Sequence, residues 1–237
     1  MSARPSLSVI IPTLDAAASL PATLASLAAG ASAIGYELIV VDGGSRDATV
    51  AIMRDATVAI GAAVRRVVTA PRGRGSQLAA GAAVAQGAWF LFLHADTRLG
   101  EGWGEDVRTF IADPANGEHW AAFRFALDDA VPAARRLERM VAWRNRVLGL
   151  AYGDQGLLVH RVAYARAGGY RPLPLMEDVD LVRRLGAAGL VMLETPATTS
   201  AVRYRRAGYL RRSGRNLVCL GLYFLGVPPR ILARLYG

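Results

Sequence analysis

Along the first hundred positions, apolar residues fall into short runs separated by Gly, Pro and Asp. Leu7 to Ile11, Glu37 to Val41, Val64 to Thr69 and Trp89 to Leu93 each read as a strand, and the last contains no polar residue. A run without alternation suits a strand covered on both faces, as in a parallel sheet with helices on each side. Between the runs the period changes. Leu20, Leu24 and Leu27 recur at helical spacing after Ser19, a candidate N-cap, with Pro21 in the first turn and Gly30 following. Asp47 is a candidate N-cap for a helix to about Ile60, and Gln77 to Gln86 reads as a helix rich in small residues. Pro12 is expected to stop the first strand, and Pro71 to Ser76 to form a tight basic loop. Strand–helix alternation of this kind predicts an α/β fold with a mainly parallel sheet and right-handed crossovers.

The second half is less regular. Trp103 to Ile111 reads as a short helix, and Ala121 to Leu127 alternates like a half-exposed strand. Val131 to Leu150 is amphipathic and Arg-rich, and Leu157 to Val159 is a short apolar segment. Met176 to Leu190 begins acidic and continues at helical spacing through Val179, Val182 and Leu185. No repeat or low-complexity linker divides the chain. At 237 residues, 53% of them hydrophobic, it has ample material for a core.

Charge changes the picture at one end. The net charge is +9, all 28 basic residues are Arg, and eight of them lie between Thr195 and Gly237 without a single Asp or Glu. That tail is basic and then apolar, through Leu217 to Val227 before Pro228-Pro229. Two placements are open: the tail lies on an anionic membrane with Arg at the headgroups, or it docks against the sheet with its Arg solvated. No apolar stretch reaches the ~20 residues needed to cross a bilayer, and Met1 to Leu7 is too short and polar for a signal peptide. The expectation is a cytoplasmic protein, with the inner face of the membrane as a candidate contact. The one cysteine, Cys219, excludes an internal disulfide and sits in an apolar run. Positive charge alone does not make a nucleic-acid protein, and basic–aromatic interleaving is absent beyond Tyr204, Tyr209 and Tyr223.

Candidate chemistry sits at the ends of the runs. Asp42-Gly43-Gly44-Ser45 closes the second strand; its glycines let backbone approach a ligand, and its carboxylate can accept from a base or ribose, although Asp-Gly is also ordinary turn chemistry. Arg72-Gly-Arg74-Gly-Ser-Gln77 places guanidinium groups and glycines at a helix start, which suits phosphate. Leu78 occupies the third glycine position of a dinucleotide fingerprint, and the loop follows the third strand, so a mononucleotide diphosphate is favoured. His94-Ala95-Asp96 ends the most apolar strand, where open α/β sheets bind ligands, and one Asp with substrate phosphates is enough to hold Mg²⁺. His94 reads equally as a hydrogen-bonded core residue. In Glu177-Asp178-Val-Asp180, adjacent carboxylates point apart, so one can act as a base while the other orients; acidic bias in a first helical turn is the plainer alternative. Gly153-Asp154-Gln155-Gly156 suggests a sugar or acceptor contact.

In this order, Pro12-Thr13, Val41-Asp42-Gly-Gly44-Ser45, His94-Ala95-Asp96 and Glu177-Asp178 resemble the family-2 glycosyltransferases of GT-A fold, over about residues 6 to 205. Arg72-Gly-Arg-Gly-Ser-Gln77, Leu93-His-Ala-Asp-Thr-Arg98, Gly153-Asp-Gln-Gly156 and Pro174-Leu-Met-Glu-Asp178 resemble its bacterial radical-SAM/selenodomain-associated transferases. The resemblance implies a GT-A domain over residues 1–205, with a nucleotide half near 6–98 and an acceptor half near 99–205, followed by a helical tail over 206–237. It implies a UDP- or GDP-sugar donor bound by Pro12, Thr13, Asp15, Asp42, Gly44, Arg74, Gln77, His94, Ala95 and Asp96. Asp96 would hold Mg²⁺ or Mn²⁺, Asp178 would be the catalytic base of an inverting transfer, and Asp154, Gln155, Glu177 and Arg203 would face an unidentified acceptor. The sequence departs from the family in four places. Asp15-Ala16 stands where Asn-Glu is usual, His94 occupies the first position of the DXD motif, Val179-Asp-Leu-Val-Arg-Arg184 follows Glu-Asp where many relatives have a Gln/Arg-rich acceptor sequence, and Thr199, Ser200 and Arg203 stand where a late metal-binding His is common. A nucleotidyltransferase would carry a basic glycine-rich loop where Pro12-Thr-Leu-Asp15 stands; a non-catalytic nucleotide-sugar-binding protein is the remaining alternative.

Overall fold

A computed structural model describes residues 6–55 and 64–236. The first half alternates as the apolar runs require: β1 (Leu7–Thr13), α1 (Leu20–Gly30), β2 (Tyr36–Asp42), α2 (Thr49–Asp55), β3 (Val64–Thr69), α3 (Arg74–Val84) and β4 (Trp89–Phe92). Next come β5 (Thr97–Leu99), α4 (Trp103–Ala112), β6 (Trp120–Leu127), α5 (Pro132–Leu148), β7 (Leu157–His160) and α6 (Arg161–Arg166). The chain then forms α7 (Glu177–Leu185), β8 (Leu190–Thr199), α8 (Val202–Ala207), α9 (Tyr209–Phe224) and α10 (Pro229–Tyr236). One eight-stranded sheet runs in the order β3-β2-β1-β4-β7-β6-β8-β5. Pairs among β1 to β4 are parallel, as is β6 with β8; β7 is antiparallel to both of its neighbours, and β5 to β8. The fold is a mixed, mostly parallel sheet flanked by helices.

The apolar runs are continuous because the sheet has a core on each face. Leu7, Val9, Leu38, Val40, Trp89 and Leu91 point into one core; Ile10, Ile39, Val41, Phe90 and Phe92 point into the other. Successive side chains in a strand face opposite sides, so both parities must be apolar. The same logic corrects the reading of β6. It is expected to be half-exposed, yet only Arg124 is exposed and Ala126 partly so. Ala121 and Phe123 join the first core, Trp120 and Ala122 the second.

Three local expectations also change. Pro12 does not stop β1, which pairs with β2 as far as Thr13 and Asp42. The Ile10 carbonyl accepts from Leu93 N–H at 3.0 Å, so the backbone of Pro12, two residues on, also faces β4. Pro12 has no N–H to offer there, and ladder pairing with β4 ends at Phe92. The proline therefore ends one ladder and leaves the other intact, which opens the sheet between β1 and β4. Helix α3 starts at Arg74 rather than Gln77, with Gly73 at φ 136° before it. Ser19 precedes α1 without capping it; its hydroxyl donates back to Ala16 O. The expected helix end at Ile60 lies outside the described residues. Asp47 does cap, accepting from Thr49 N–H at 2.9 Å.

Of the C-terminal helices, α9 packs along α5, α8 and α10. Tyr209 at its start donates to Asp129, just before α5, at 2.8 Å, and Arg212 and Asn216 line a narrow cavity described below.

Candidate active site

Strands β2 and β3 lie on one side of β1, and β4 lies on the other. At such a reversal the loops after the strands diverge and leave a crevice, where open α/β sheets bind ligands. Here it is a cleft of about 560 Å³. Pro12, Thr13 and Asp15 line it from the end of β1, Arg74 and Gln77 from α3, and His94, Ala95 and Asp96 from beyond β4.

Several of these side chains build the cleft as well as line it. Gln77 is buried and its amide donates to Thr13 O and Val41 O, each at 2.7 Å, tying together the ends of β1 and β2. Asp15 accepts from Arg46 N–H at 2.7 Å, which joins the loops after those strands. Asp42 accepts from Gly44 N–H at 2.9 Å, Ser45 N–H at 3.0 Å, the Ser45 hydroxyl at 2.5 Å and the Thr13 hydroxyl at 3.4 Å. That fills the acceptor capacity of a carboxylate. Burial pushes its pKa up, but the bonds from Ser45, Gly44 and Thr13 outweigh burial and hold it below the ordinary value. Asp42 and Gly44 thus make the turn beside the cleft and do not line it, whereas the sequence reading put both on the nucleotide.

A narrower cavity of about 140 Å³ adjoins the cleft. Arg74, His94, Asp96 and Arg203 line both spaces; Asp154 and Asp178 line only the narrower one. Asp178 is placed by the start of α7, where Met176 adopts a left-handed φ of 64° immediately before the helix. Its two oxygens accept from the backbone of Gly153 (2.9 Å) and Val179 (2.8 Å), which orient the carboxylate without a side-chain hydrogen bond among the described residues. Gly153 is glycine for a steric reason: a Cβ there would lie 2.6 Å from His94 Nε2. Gly75, in the first turn of α3, is held likewise, because a Cβ would meet Arg171 O at 2.1 Å.

Glu177 and Gln155 do not reach either space. Glu177 is buried and pairs with Arg74 at 2.8 Å; burial raises its pKa against the pull of that guanidinium. Gln155 is fully buried, donates to Phe123 O at 3.0 Å and accepts from Arg144 at 3.0 Å. The sequence reading put both at an acceptor; here each is held by neighbouring side chains and backbone, outside the two spaces.

The electrostatics are set by burial. The His94 imidazole is pushed down to about 4 by burial and then by Arg74, against Asp96 and Asp178, so it is neutral at pH 7. Burial pushes the Asp154 carboxyl up to about 6; Asp178 and Asp96 push the same way, Arg144 and Arg74 oppose. A carboxyl whose folded pKa lies above its ordinary 3.8 favours its protonated form. Its contribution to stability is complete below about pH 4 and is lost as the pH rises through 6. In metal-free, nucleotide-free protein, Asp154→Asn should therefore gain stability over wild type as the pH rises from 4 to 7, by about 3 kcal/mol at most. Thermal melts of both proteins across that range test this, and a pH-independent difference would contradict it.

Among the described residues, no group of three or more His, Cys, Asp or Glu is arranged to hold a metal ion unaided. Mg²⁺ commonly binds through one or two carboxylates plus substrate phosphates and water. Asp96 lines the cleft and, among the described residues, meets no hydrogen-bond donor. A free carboxylate beside a neutral imidazole fits that donor set.

Some site residues were not anticipated. Arg212 and Asn216, one turn apart on α9, and Tyr236 at the end of α10 line the narrow cavity, and Tyr236 lines the cleft as well. Arg212 donates to the Tyr236 hydroxyl at 2.5 Å and lies 4.7 Å over its ring. The only trace of this in the sequence is the i, i+4 spacing of two polar residues in a helix otherwise rich in apolar ones.

Residues 8–147 match the family model described as Glycosyl transferase family 2. The chain belongs to that family. It is 39% identical over 99 residues to a PGL/p-HBAD biosynthesis glycosyltransferase of Mycobacterium tuberculosis (strain ATCC 25618 / H37Rv), and equally to one of Mycobacterium bovis (strain BCG / Pasteur 1173P2). That match covers 42% of this chain and spans only 38% of the length of the mycobacterial proteins. Among solved structures, S. aureus TarS 1-349 superposes with a TM-score of 0.64 at 15% identity, covering 97% of this chain and 69% of TarS 1-349. The mannosyltransferase PcManGT from Pyrobaculum calidifontis, in complex with GDP-Man and Mn2+, gives 0.62 at 18% identity, covering 90% of this chain and 61% of that one. At these identities the likeness is one of fold: the family-2 chain has the GT-A architecture.

Proposed function

We propose that the protein is a metal-dependent, inverting glycosyltransferase that moves a sugar from a UDP- or GDP-sugar to an acceptor hydroxyl. One observation carries the reading: Asp96 faces both the cleft and the narrow cavity, while Asp178 faces only the latter. Donor and acceptor then occupy different spaces that meet at Asp96. In support, structures of the same fold are described with GDP-Man and Mn2+ and with UDP-GlcNAc. Within the family, we group the chain with the radical-SAM/selenodomain-associated transferases on its motif wording.

In this reading the nucleotide lies against Pro12, Thr13 and Asp15, with its diphosphate beside Asp96. Mg²⁺ or Mn²⁺ held by Asp96 would neutralise charge developing on the leaving diphosphate. Arg74 and Arg203, which line both spaces, add positive charge there. Asp178 accepts the proton of the acceptor hydroxyl as the oxygen attacks from the side opposite the diphosphate, which inverts the anomeric centre. Asp154 Oδ1 and Asn216 Oδ1 are buried without a donor among the described residues and suit further hydroxyls of the acceptor. Among the described residues, no helix is long and apolar enough to cross a membrane. We place the reaction at the cytoplasmic face of the membrane, on a lipid-linked or cell-envelope acceptor, with the C-terminal helices toward the surface.

With Mn²⁺ or Mg²⁺, the protein should slowly hydrolyse one nucleotide sugar from a panel even without acceptor. Neither turnover nor a thermal shift with any of them would overturn the proposal; a shift without turnover would favour the non-catalytic binder. Arg203→Ala should weaken nucleoside diphosphate binding about tenfold, the size of one charge-assisted hydrogen bond. Unchanged affinity by calorimetry would remove Arg203 from the donor site.

A further inference from the structure

We propose that the exposed faces of α5 and α9 together form a docking surface for an anionic lipid bilayer. This rests on the membrane-surface placement above, and extends it from the tail to a helix of the transferase body.

The two helices lie side by side and run the same way. Their starts are joined through Tyr209 and Asp129, and at their ends Leu148 and Phe224 line one shallow groove. Each leaves an apolar stripe uncovered among the described residues. On α5, Met140, Trp143 and Val147 recur at helical spacing on the side away from buried Leu137 and Val141. On α9 and the residue after it, Leu210, Leu217 and Leu225 are 88%, 65% and 82% exposed. A folded chain keeps such side chains in water only at a cost, and large exposed apolar patches mark interaction sites.

The charge around the stripes selects the occupant. Exposed Arg136, Arg139 and Arg146 on α5, Arg211 on α9, and Arg230 and Arg234 on α10 have no acidic partner among the described residues. Glu138 is the only carboxylate on the three helices, and it pairs with Arg135. A second copy of this chain docked through the same face would bring arginine against arginine. An anionic bilayer answers both features, taking the apolar side chains below the headgroups and the guanidinium groups among the phosphates. The opposite side of α9 carries Arg212 and Asn216 into the narrow cavity. Docking on one side of α9 therefore holds the narrow cavity one helix diameter, ~10 Å, from the bilayer surface.

The test is flotation of the intact protein with vesicles of phosphatidylcholine alone and of phosphatidylcholine mixed with phosphatidylglycerol. The protein should float with the mixed vesicles, not with the neutral ones, and be released by high salt. Trp143→Ala combined with Leu217→Ser and Leu225→Ser should lower vesicle affinity at least about tenfold, because bound affinity scales with buried apolar area. These positions are exposed and outside the site, so hydrolysis of the nucleotide sugar should be unchanged, which also certifies the fold. Absence of flotation, flotation indifferent to the substitutions, or a dimer in light scattering that the same substitutions dissolve would each overturn the surface. Flotation without nucleotide-sugar turnover would instead count against the transferase reading alone.

Discussion

Asp96→Ala is expected to abolish donor binding, and with it hydrolysis and transfer together. The other carboxylates are placed differently: Asp42 is saturated by its own turn, Asp15 accepts from Arg46, Glu177 is paired with Arg74, and Asp154 and Asp178 line the narrow cavity but not the cleft. Loss of a metal-binding and diphosphate-facing group removes several kcal/mol of leaving-group stabilisation, a fall of at least about a thousandfold in turnover. The substitution should barely change stability, because Asp96 gives up no hydrogen bond to the described residues. Calorimetric titration with UDP- and GDP-sugars in Mn²⁺, beside a thermal melt, separates the two effects. Donor binding at the wild-type level in a folded Asp96→Ala protein would refute the metal site.

Asp178→Asn is expected to do the reverse: donor binding persists and transfer falls by about 10²- to 10⁴-fold, the usual worth of a positioned general base. The amide keeps an oxygen for only one of the two backbone N–H donors, Gly153 or Val179, and cannot take a proton at neutral pH, so the side chain stays near its place while the base is lost. The rival is Asp154, which lines the same cavity and whose pKa of about 6 is compatible with a base. Asp154→Asn made alongside decides between them. If Asp178→Asn retains transfer and Asp154→Asn loses it, the roles assigned to the two carboxylates must be exchanged.

The strands were legible wherever burial on both faces forces an unbroken apolar run, as at Trp89 to Leu93. Strand β8 was not: its residues Leu190 to Thr199 mix Glu, Thr and Pro, and it is a strand because β6 and β5 pair with it. Strand β5 is only three residues long and likewise owes its existence to β8. The position of Asp96 at a strand tip could be inferred from the pattern alone. The separate fates of Asp42, Gln155 and Glu177 could not, since acidic and amide groups beside glycines look alike whether they meet a ligand or a neighbouring loop.

By itself, then, the sequence determined the α/β class, the alternation of the first four strands, and the motifs that carry the family resemblance, because periodicity and turn chemistry are local properties. Only the tertiary structure decided which polar groups remain free. Hydrogen bonds from Ser45, Gly44 and Thr13 consume Asp42, while nothing comparable among the described residues reaches Asp96. It also decided that Asp154, Asp178 and Asn216, far apart in the chain, line one cavity, and that Tyr236 from the last helix adjoins the cleft beside β1 and β4. Those proximities follow from long-range packing of α7, α9 and α10 around the sheet, which no local pattern records.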